Sequence, residues 1–262
     1  MSSLCTAWRW ALLALLSPVS LILWACSPYV TPKPAAVMRV GVCTSLRPLL
    51  DLASQSYSDL SGISLVIVEG PERFVIRQLE EGELDAALVT TEVGVKPRLV
   101  AKDALAIVVH PSNPVEALSL TELRSLYVGY TLDWDNLGGR GEVVLISRGD
   151  GSAAQAVFEE KVIRGGRISP TAVVMPSSKD VVGYVSLHPG AIGYVAAGYL
   201  KGDVKALSLE GHKPTPSAVN SGEYPLLLPA YAVTLSKEGE KLVEFLTGPV
   251  GRSIIGSRYA LP

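Results

Sequence analysis

The chain has 262 residues, with 23 basic and 25 acidic side chains and a formal net charge of −2. This balance, with no basic stripe among aromatic residues, gives no support for nucleic-acid binding. His110, His188 and His212 have no cysteine or carboxylate at ligand spacing, so we expect no metal ion and no cofactor. Because no nucleophile–base pair is evident either, we expect a binding protein and not an enzyme.

Residues 1–25 have the pattern of a signal peptide. Arg9 is the only charge, and the apolar run 11–23 is too short to span a membrane comfortably. Leu23-Trp24-Ala25-Cys26 resembles the bacterial lipobox, although Trp24 is bulkier than usual. The resemblance implies cleavage before Cys26, lipidation of its sulfur, and a position on the outer face of the cytoplasmic membrane. A plain secretory signal or an uncleaved anchor is the alternative.

Residues 26–36 read as a tether, because Pro28, Pro32 and Pro34 disfavour helix and keep the chain extended. With Cys26 lipidated, Cys43 is the only cysteine left, so no intramolecular disulfide can form and we expect a small buried residue. Without Arg9 the mature chain keeps 22 of the 23 basic residues. Its 237 residues (262 − 25) suffice for one large domain or two lobes.

From residue 37 the chain alternates between short apolar strands and amphipathic helices. The pattern predicts strands at 37–42, 64–68 and 86–89, and helices at 48–60 and 74–81. This alternation implies a parallel sheet with right-handed crossovers. In such sheets, ligands bind where the carboxyl ends of strands meet helix N-termini.

The second half continues the alternation. A β-branched run at 105–109 is followed by a helix at 120–128 that Ser119 or Thr121 can cap. The pattern predicts a strand at 143–146 and a helix at 154–162, and the alternation continues through the segments 172–174, 179–186 and 192–195. C-terminal helices are predicted at 237–246 and 251–255.

The segment Ser147-Arg148-Gly149-Asp150-Gly151-Ser152 lies between a predicted strand and a predicted helix. Asp150 or Ser152 can cap that helix, and its first N–H groups together with Arg148 would suit an oxyanion. An ordinary capped helix with a surface arginine is the alternative. Ser152 does not fit a hydrolase nucleophile, because Ala154 replaces the second glycine of the Gly-x-Ser-x-Gly turn.

Eight segments, in order, carry a family resemblance: 106–115, 119–123, 134–139, 147–158, 189–195, 204–209, 221–226 and 244–249. They are similar to segments of the phosphate-binding-protein-like family of extracytoplasmic solute-binding proteins, over about residues 38–262. The resemblance implies an α/β, two-lobed periplasmic-binding-protein fold of type II, in which each lobe is a mainly parallel sheet flanked by helices. Lobe one would be 37–103 plus 224–262 and lobe two 104–223, with hinge crossings near 101–106 and 224–229.

The function implied is capture of inorganic phosphate, or a related tetrahedral oxyanion, for the permease of an ABC transporter. The protein would be a monomer attached to the membrane through its lipid. The alternative keeps the fold in a surface sensor or adaptor that has lost tight phosphate binding and acts through protein contacts.

The resemblance also implies site residues. Arg148 matches the arginine that holds phosphate, Ser152 matches a hydroxyl donor, and Asp150 matches a carboxylate that tolerates only an anion carrying a proton. The other ligand contacts implied are Thr44, Ser45, Leu46, Gly151, Ala153 and Ala154.

The chain departs from the family pattern at three places. Ala153-Ala154 replaces Gly-Thr and loses a hydroxyl. After the third strand, Thr90-Thr91-Glu92 replaces the small residue and the aspartate or arginine that are common in the family. In the loop from Gly70, Pro71 removes a donor N–H, and we expect the Glu72 carboxylate to repel a dianion. Arg73 could compensate by turning into the cleft. A second group of candidate ligand residues is therefore Gly70, Glu72, Arg73, Thr90 and Thr91.

Overall fold

The computed structural model describes residues 36–93 and 96–262. The predicted signal peptide, Cys26 and the tether up to residue 35 lie outside the described residues. Within the described ranges, no helix combines the length and the apolar character that crossing a bilayer requires.

The described residues alternate between strands and helices, as the sequence predicts. The strands are β1 (Ala36–Cys43), β2 (Ile63–Gly70), β3 (Ala86–Val89), β4 (Arg98–Val109), β5 (Ala117–Leu118), β6 (Val144–Arg148), β7 (Val173–Met175), β8 (Ala191–Ala196), β9 (Lys205–Ala206), β10 (Ser208–Leu209) and β11 (Leu227–Thr234). The helices are α1 (Arg47–Ser61), α2 (Glu72–Glu80), α3 (Leu120–Tyr127), α4 (Ala153–Phe158), α5 (Ser178–Val185), α6 (Pro216–Asn220), α7 (Lys237–Thr247) and α8 (Pro249–Gly256). Short 3-10 turns occur at Trp134–Leu137 and Ala197–Tyr199, and a π-helix at Glu159–Ile163.

The main sheet has the strand order β2-β1-β3-β11-β4-β8-β6-β7. β1 is parallel to β2 and β3, and β6 is parallel to β7 and β8, which confirms the predicted parallel arrangement. β11 runs antiparallel between β3 and β4, and β4 pairs antiparallel with β8. The carboxyl ends of β1, β2 and β3 therefore lie at one edge of the first parallel group. In the second parallel group, which consists of β6, β7 and β8, the carboxyl end of β6 likewise lies with those of its neighbours.

β4 is longer than the predicted run 105–109. The apolar pattern is interrupted by Lys102 and Asp103, which hid the first half of the strand. Pairing with β11 supplies this half with a ladder, Lys102 opposite Pro229 and Asp103 opposite Leu228. The strand therefore depends on a segment more than 100 residues away, which a local pattern cannot show.

Helix caps match the sequence signals. Ser119 caps α3 in a reciprocal arrangement with Glu122, so Ser119 and not Thr121 starts this helix. Ser152 and not Asp150 caps α4. The predicted helix 154–162 is α-helical only to Phe158 and continues as the π-helix, a form that is rare and often found near functional sites.

Two large apolar cores lie along the sheet. One surrounds β1 and includes Leu49 and Tyr57 of α1 and Leu246 of α7. The other surrounds β8 and includes Trp134 and Phe158. β4 contributes Ala101 to the first core and Ala104 to the second, and β11 contributes Ala230 to the first and Leu228 to the second.

Both β4 and β11 pass from the first core to the second close to the predicted hinge crossings. Residues Ala35–Pro262 nevertheless form one compact unit by their contacts. The division into lobes 37–103 plus 224–262 and 104–223 therefore stays a prediction, which the separate cores support.

Candidate functional site

The turn between β6 and α4 contains the main sequence-predicted candidates. β6 ends at Arg148, which is 3% exposed, whereas Asp150 is exposed. Gly151 has φ +82°, a left-handed conformation that favours glycine. Ser152 then caps α4, its hydroxyl oxygen accepting the N–H of Gln155. The turn thus buries the cation and leaves the carboxylate at the surface.

The guanidinium of Arg148 is held by four neutral oxygen atoms. Nε donates to the Met175 carbonyl at 3.1 Å, and Nη1 donates to the Ser178 hydroxyl at 3.0 Å. Nη2 donates to the Pro176 carbonyl at 3.1 Å and to the Thr44 hydroxyl at 3.0 Å. Burial lowers the pKa of Arg148 from its usual value, yet an arginine stays protonated in proteins.

No carboxylate of the described residues forms an ion pair with Arg148. A buried charge is costly unless it is paired, and neutral acceptors compensate only part of the lost hydration. Arg148 is therefore a buried cation without a counter-ion in the part of the chain that the structure describes.

The loop between β1 and α1 lies against Arg148. Thr44 contributes the hydroxyl described above, and its carbonyl accepts the Tyr199 hydroxyl at 2.6 Å. Ser45 and Leu46 are each 1% exposed. The Ser45 hydroxyl is buried and has no hydrogen-bond partner among residues 36–93 and 96–262. An unsatisfied buried hydroxyl costs about 1–3 kcal/mol, so this group favours a ligand that can accept or donate a hydrogen bond.

Glu72 does not have the free carboxylate that the sequence suggested. It is 5% exposed, and Oε1 accepts the N–H groups of Thr90 at 2.9 Å and Thr91 at 2.7 Å. Oε2 accepts the Thr90 hydroxyl at 2.6 Å. Three donors thus spread its charge, which changes the expectation that this carboxylate simply repels a dianion. The local sequence did not show this because α2 and the turn after β3 meet only through the fold.

The first turn of α2 packs directly on the turn before α4. The Glu72 N–H donates to the Gly151 carbonyl at 3.1 Å. Side-chain carbons of Arg73 lie 3.6–3.9 Å from the position that a Cβ on Gly151 would take. Gly70 accepts the Thr44 N–H at 3.1 Å, so its main chain supports the β1–α1 loop. These contacts bring the separate loops of the sequence prediction to one place.

Two adjacent cavities border this place. One has about 560 Å³ and is lined by seven sequence-predicted residues: Glu72, Arg73, Thr91, Asp150, Gly151, Ser152 and Ala153. The other has about 420 Å³ and is lined by Arg148 together with Ser147 and Ile168. Both cavities include Asp150 and Gln155. Thr44, Ser45, Leu46, Gly70, Thr90 and Ala154 line neither cavity in the described residues.

Four residues that hold Arg148 or Thr44 were missed from the sequence: Met175, Pro176, Ser178 and Tyr199. One signal was available, because Ser177 caps α5 directly after β7, the same strand–turn–helix arrangement used to find Ser152. The contacts of Ser178, which is 0% exposed, could not be inferred without the fold.

Cys43 is a buried free cysteine, as predicted. Burial, and then the nearby charge of Glu72, raises the pKa of its thiol well above the usual range, so it is not a reactive thiolate. Across the described ranges, no group of three or more histidine, cysteine or acidic side chains could hold a metal ion.

Comparisons with known proteins identify relatives of this chain. A family model for the PBP superfamily domain matches residues 30–248. The phosphate-binding protein PstS of Bacillus subtilis is 30% identical over 216 residues, covering 80% of this chain and 69% of the relative. The phosphate-binding protein PstS of Borreliella burgdorferi is 22% identical over 243 residues, covering 84% and 87%.

A solved structure has the same fold. It is that of a candidate phosphate ABC transporter substrate-binding protein from Clostridium perfringens with bound phosphate. The TM-score is 0.79 at 24% identity, and the match covers 86% of this chain and 98% of the other. This similarity confirms the predicted fold class, an α/β fold of the type II periplasmic binding proteins. The chain belongs to the phosphate-binding-protein-like family of the PBP superfamily.

Proposed function

We propose that this protein captures phosphate, or a related tetrahedral oxyanion, and delivers it to the permease of an ABC transporter. The observation that supports this most directly is Arg148, a buried cation without a counter-ion in the described residues. Relatives named for phosphate binding are aligned over most of the chain.

An anion beside Arg148 would supply the missing charge. A guanidinium has five N–H donors, and four of those of Arg148 contact protein oxygens, which leaves one for a ligand. The unpartnered Ser45 hydroxyl and the Ser152 hydroxyl would add donors on either side. We infer that the ligand lies beside Arg148, between the β1–α1 loop and the first turn of α4.

The exposed carboxylate of Asp150 would select among anions. It lines both cavities, and it shares the lining of the 420 Å³ cavity with Arg148. A carboxylate beside an anion is favourable only if one of the two carries a proton to donate. Phosphate keeps a proton at neutral pH and sulfate does not, so this arrangement would favour phosphate.

Titration calorimetry of the full-length chain in mild detergent tests the proposal. We expect micromolar or tighter binding of phosphate and no heat from sulfate. Equal binding of both anions would contradict the role of Asp150. No binding of either would reject phosphate capture.

In that last case a sensor or adaptor acting through protein contacts is the second candidate. The commitment of four of the five Arg148 donors to protein oxygens favours it. Pull-down experiments with a permease and with a receptor that are encoded by neighbouring genes would distinguish the two roles.

We also propose that Cys26 carries the lipid that holds the protein on the outer face of the cytoplasmic membrane. The lipobox resemblance supports this assignment. We expect the membrane-extracted chain to begin at Cys26 and to have the mass of a diacylglyceryl adduct. A Cys26→Ser variant should lose the adduct, and an unmodified Cys26 in the parent would rule the lipid anchor out.

A further inference from the structure

Gln155, in the first turn of α4, is at the centre of a buried polar cluster. This residue is 7% exposed. Oε1 accepts the Ser147 hydroxyl at 3.1 Å, the Arg148 main-chain N–H at 3.2 Å, and the Tyr194 hydroxyl. Nε2 donates to Oε1 of Glu159 at 2.6 Å. These partners determine the orientation of the amide, because only its oxygen can accept from an N–H group.

Tyr194 completes the cluster from β8. Its ring is fully buried and stacks on Phe158 of α4, with centroids 4.0 Å apart and planes 6° from parallel. Its hydroxyl accepts the Arg148 N–H at 3.2 Å. Burial raises the pKa of Tyr194 to about 12, so the hydroxyl keeps its proton at neutral pH and can donate it to Gln155. The position of the cluster is thereby tied to the second core.

Arg148 is therefore held at both ends. Gln155 and Tyr194 bind its main-chain N–H, and neutral oxygens of other loops bind its guanidinium. We propose that Gln155 is the residue that positions Arg148 for anion binding. A side chain fixed before the ligand arrives does not lose its freedom on binding, so positioning raises affinity. This inference rests on the proposed function of the site.

The hydrogen bond from Gln155 to Glu159 connects the cluster to the cavity wall. Glu159 is exposed, begins the π-helix and lines the 560 Å³ cavity together with Gln155. The amide oxygen of Gln155 therefore accepts the Arg148 N–H, and its nitrogen donates to Glu159 in the wall of the cavity. A carboxylate at position 155 could replace the oxygen but would repel Glu159.

The test replaces Gln155 by methionine, which has similar length and no strong acceptor. Gln55→Met is the matched control, because Gln55 makes the same i,i+4 hydrogen bond, to Asp59 at 2.8 Å, on the exposed face of α1. In the full-length chain, we expect Gln155→Met to weaken phosphate binding at least about tenfold. NMR should show faster solvent exchange at the Arg148 amide and Nε–H. Gln55→Met should change neither.

A double variant distinguishes a positioning role of Gln155 from a general packing role. Gln155→Glu alone should bind phosphate weakly. Gln155→Glu combined with Glu159→Gln restores both hydrogen bonds and should recover most of the phosphate affinity. If Gln155→Met does not fold, Tyr194→Phe serves the same comparison, because it removes one hydroxyl from the cluster. Unchanged exchange at Arg148 in the folded variant would overturn the inference. If the parent does not bind phosphate, the proposed function fails, and the exchange measurement still decides whether Gln155 positions Arg148.

Discussion

Replacing Arg148 by alanine should remove most of the phosphate affinity. A hydrogen bond to a charged group contributes about 1.5–3 kcal/mol, which corresponds to roughly tenfold to more than a hundredfold in affinity. The variant also loses a buried positive charge that forms no salt bridge with any carboxylate of the described residues. We therefore expect the dissociation constant measured by calorimetry to rise at least about a hundredfold.

The same change should have little effect on stability. Arg148→Ala leaves the acceptors of Thr44 and Ser178 without their donor, but it also removes the cost of burying an unpaired charge. These opposing effects predict a small shift of the thermal unfolding midpoint in the absence of phosphate. Arg148→Lys should bind weakly as well, because an ammonium group cannot reproduce the planar donors of a guanidinium.

Arg77→Ala is the control for these variants. Arg77 is an exposed residue of α2 whose only ion pair is with Glu81, four residues later, among the described residues. It should leave phosphate affinity unchanged. An Arg148→Ala variant that binds phosphate as tightly as the parent would show that the site lies elsewhere.

The stability of the fold should decrease as the pH rises from about 4 to about 7, because of Asp103. This residue of β4 is 6% exposed and lies where the strand passes from one core to the other. Its carboxylate accepts the N–H groups of Ala104 at 2.8 Å and Gly198 at 3.1 Å. Burial nevertheless raises its pKa from 3.8 to about 7, and the exposed Arg258 offsets only part of that effect.

The direction follows from proton linkage. Below pH 3.8 the carboxyl is neutral in both states, and the folded state has its full stability. Between pH 3.8 and 7 the unfolded chain loses the proton while the folded chain keeps it, so the free energy of unfolding falls. Each pKa unit corresponds to about 1.4 kcal/mol, which gives a total loss of about 4 kcal/mol.

Urea unfolding at pH 5.5 and pH 8 measures the contribution of Asp103 to the free energy of unfolding. Carboxylates with ordinary pKa values contribute little to this difference, because they are already ionised at pH 5.5. Over that interval the parent should lose about 2 kcal/mol more than Asp103→Asn, which cannot ionise. Asp203→Asn, on an exposed loop, should retain the slope of the parent. Equal slopes for the parent and Asp103→Asn would show that Asp103 ionises normally in the folded state.

Local patterns were sufficient for much of the fold. Short apolar runs predicted β1, β2, β3, β6 and β8, because a strand buried in a parallel sheet needs apolar side chains on both of its faces. Candidate cap residues predicted about where α3 and α4 begin, since a side-chain oxygen must satisfy the first free N–H groups, and the structure selects Ser119 and Ser152 from the candidates. The first half of β4 was not predicted, because it depends on pairing with the distant β11, and the π-helix was not predicted either.

The sequence by itself determined the family, the strand–helix alternation and the importance of the turn at Arg148, because motif order and turn chemistry are local properties. Only the tertiary structure decided how that turn is used. In the folded chain, Arg148 is buried among neutral oxygens of two other segments, 175–178 and the loop of Thr44, the Glu72 carboxylate binds Thr90, and Gln155 binds Tyr194. These pairs lie 18 to 104 residues apart, and their contact follows from strand order, which no local pattern encodes.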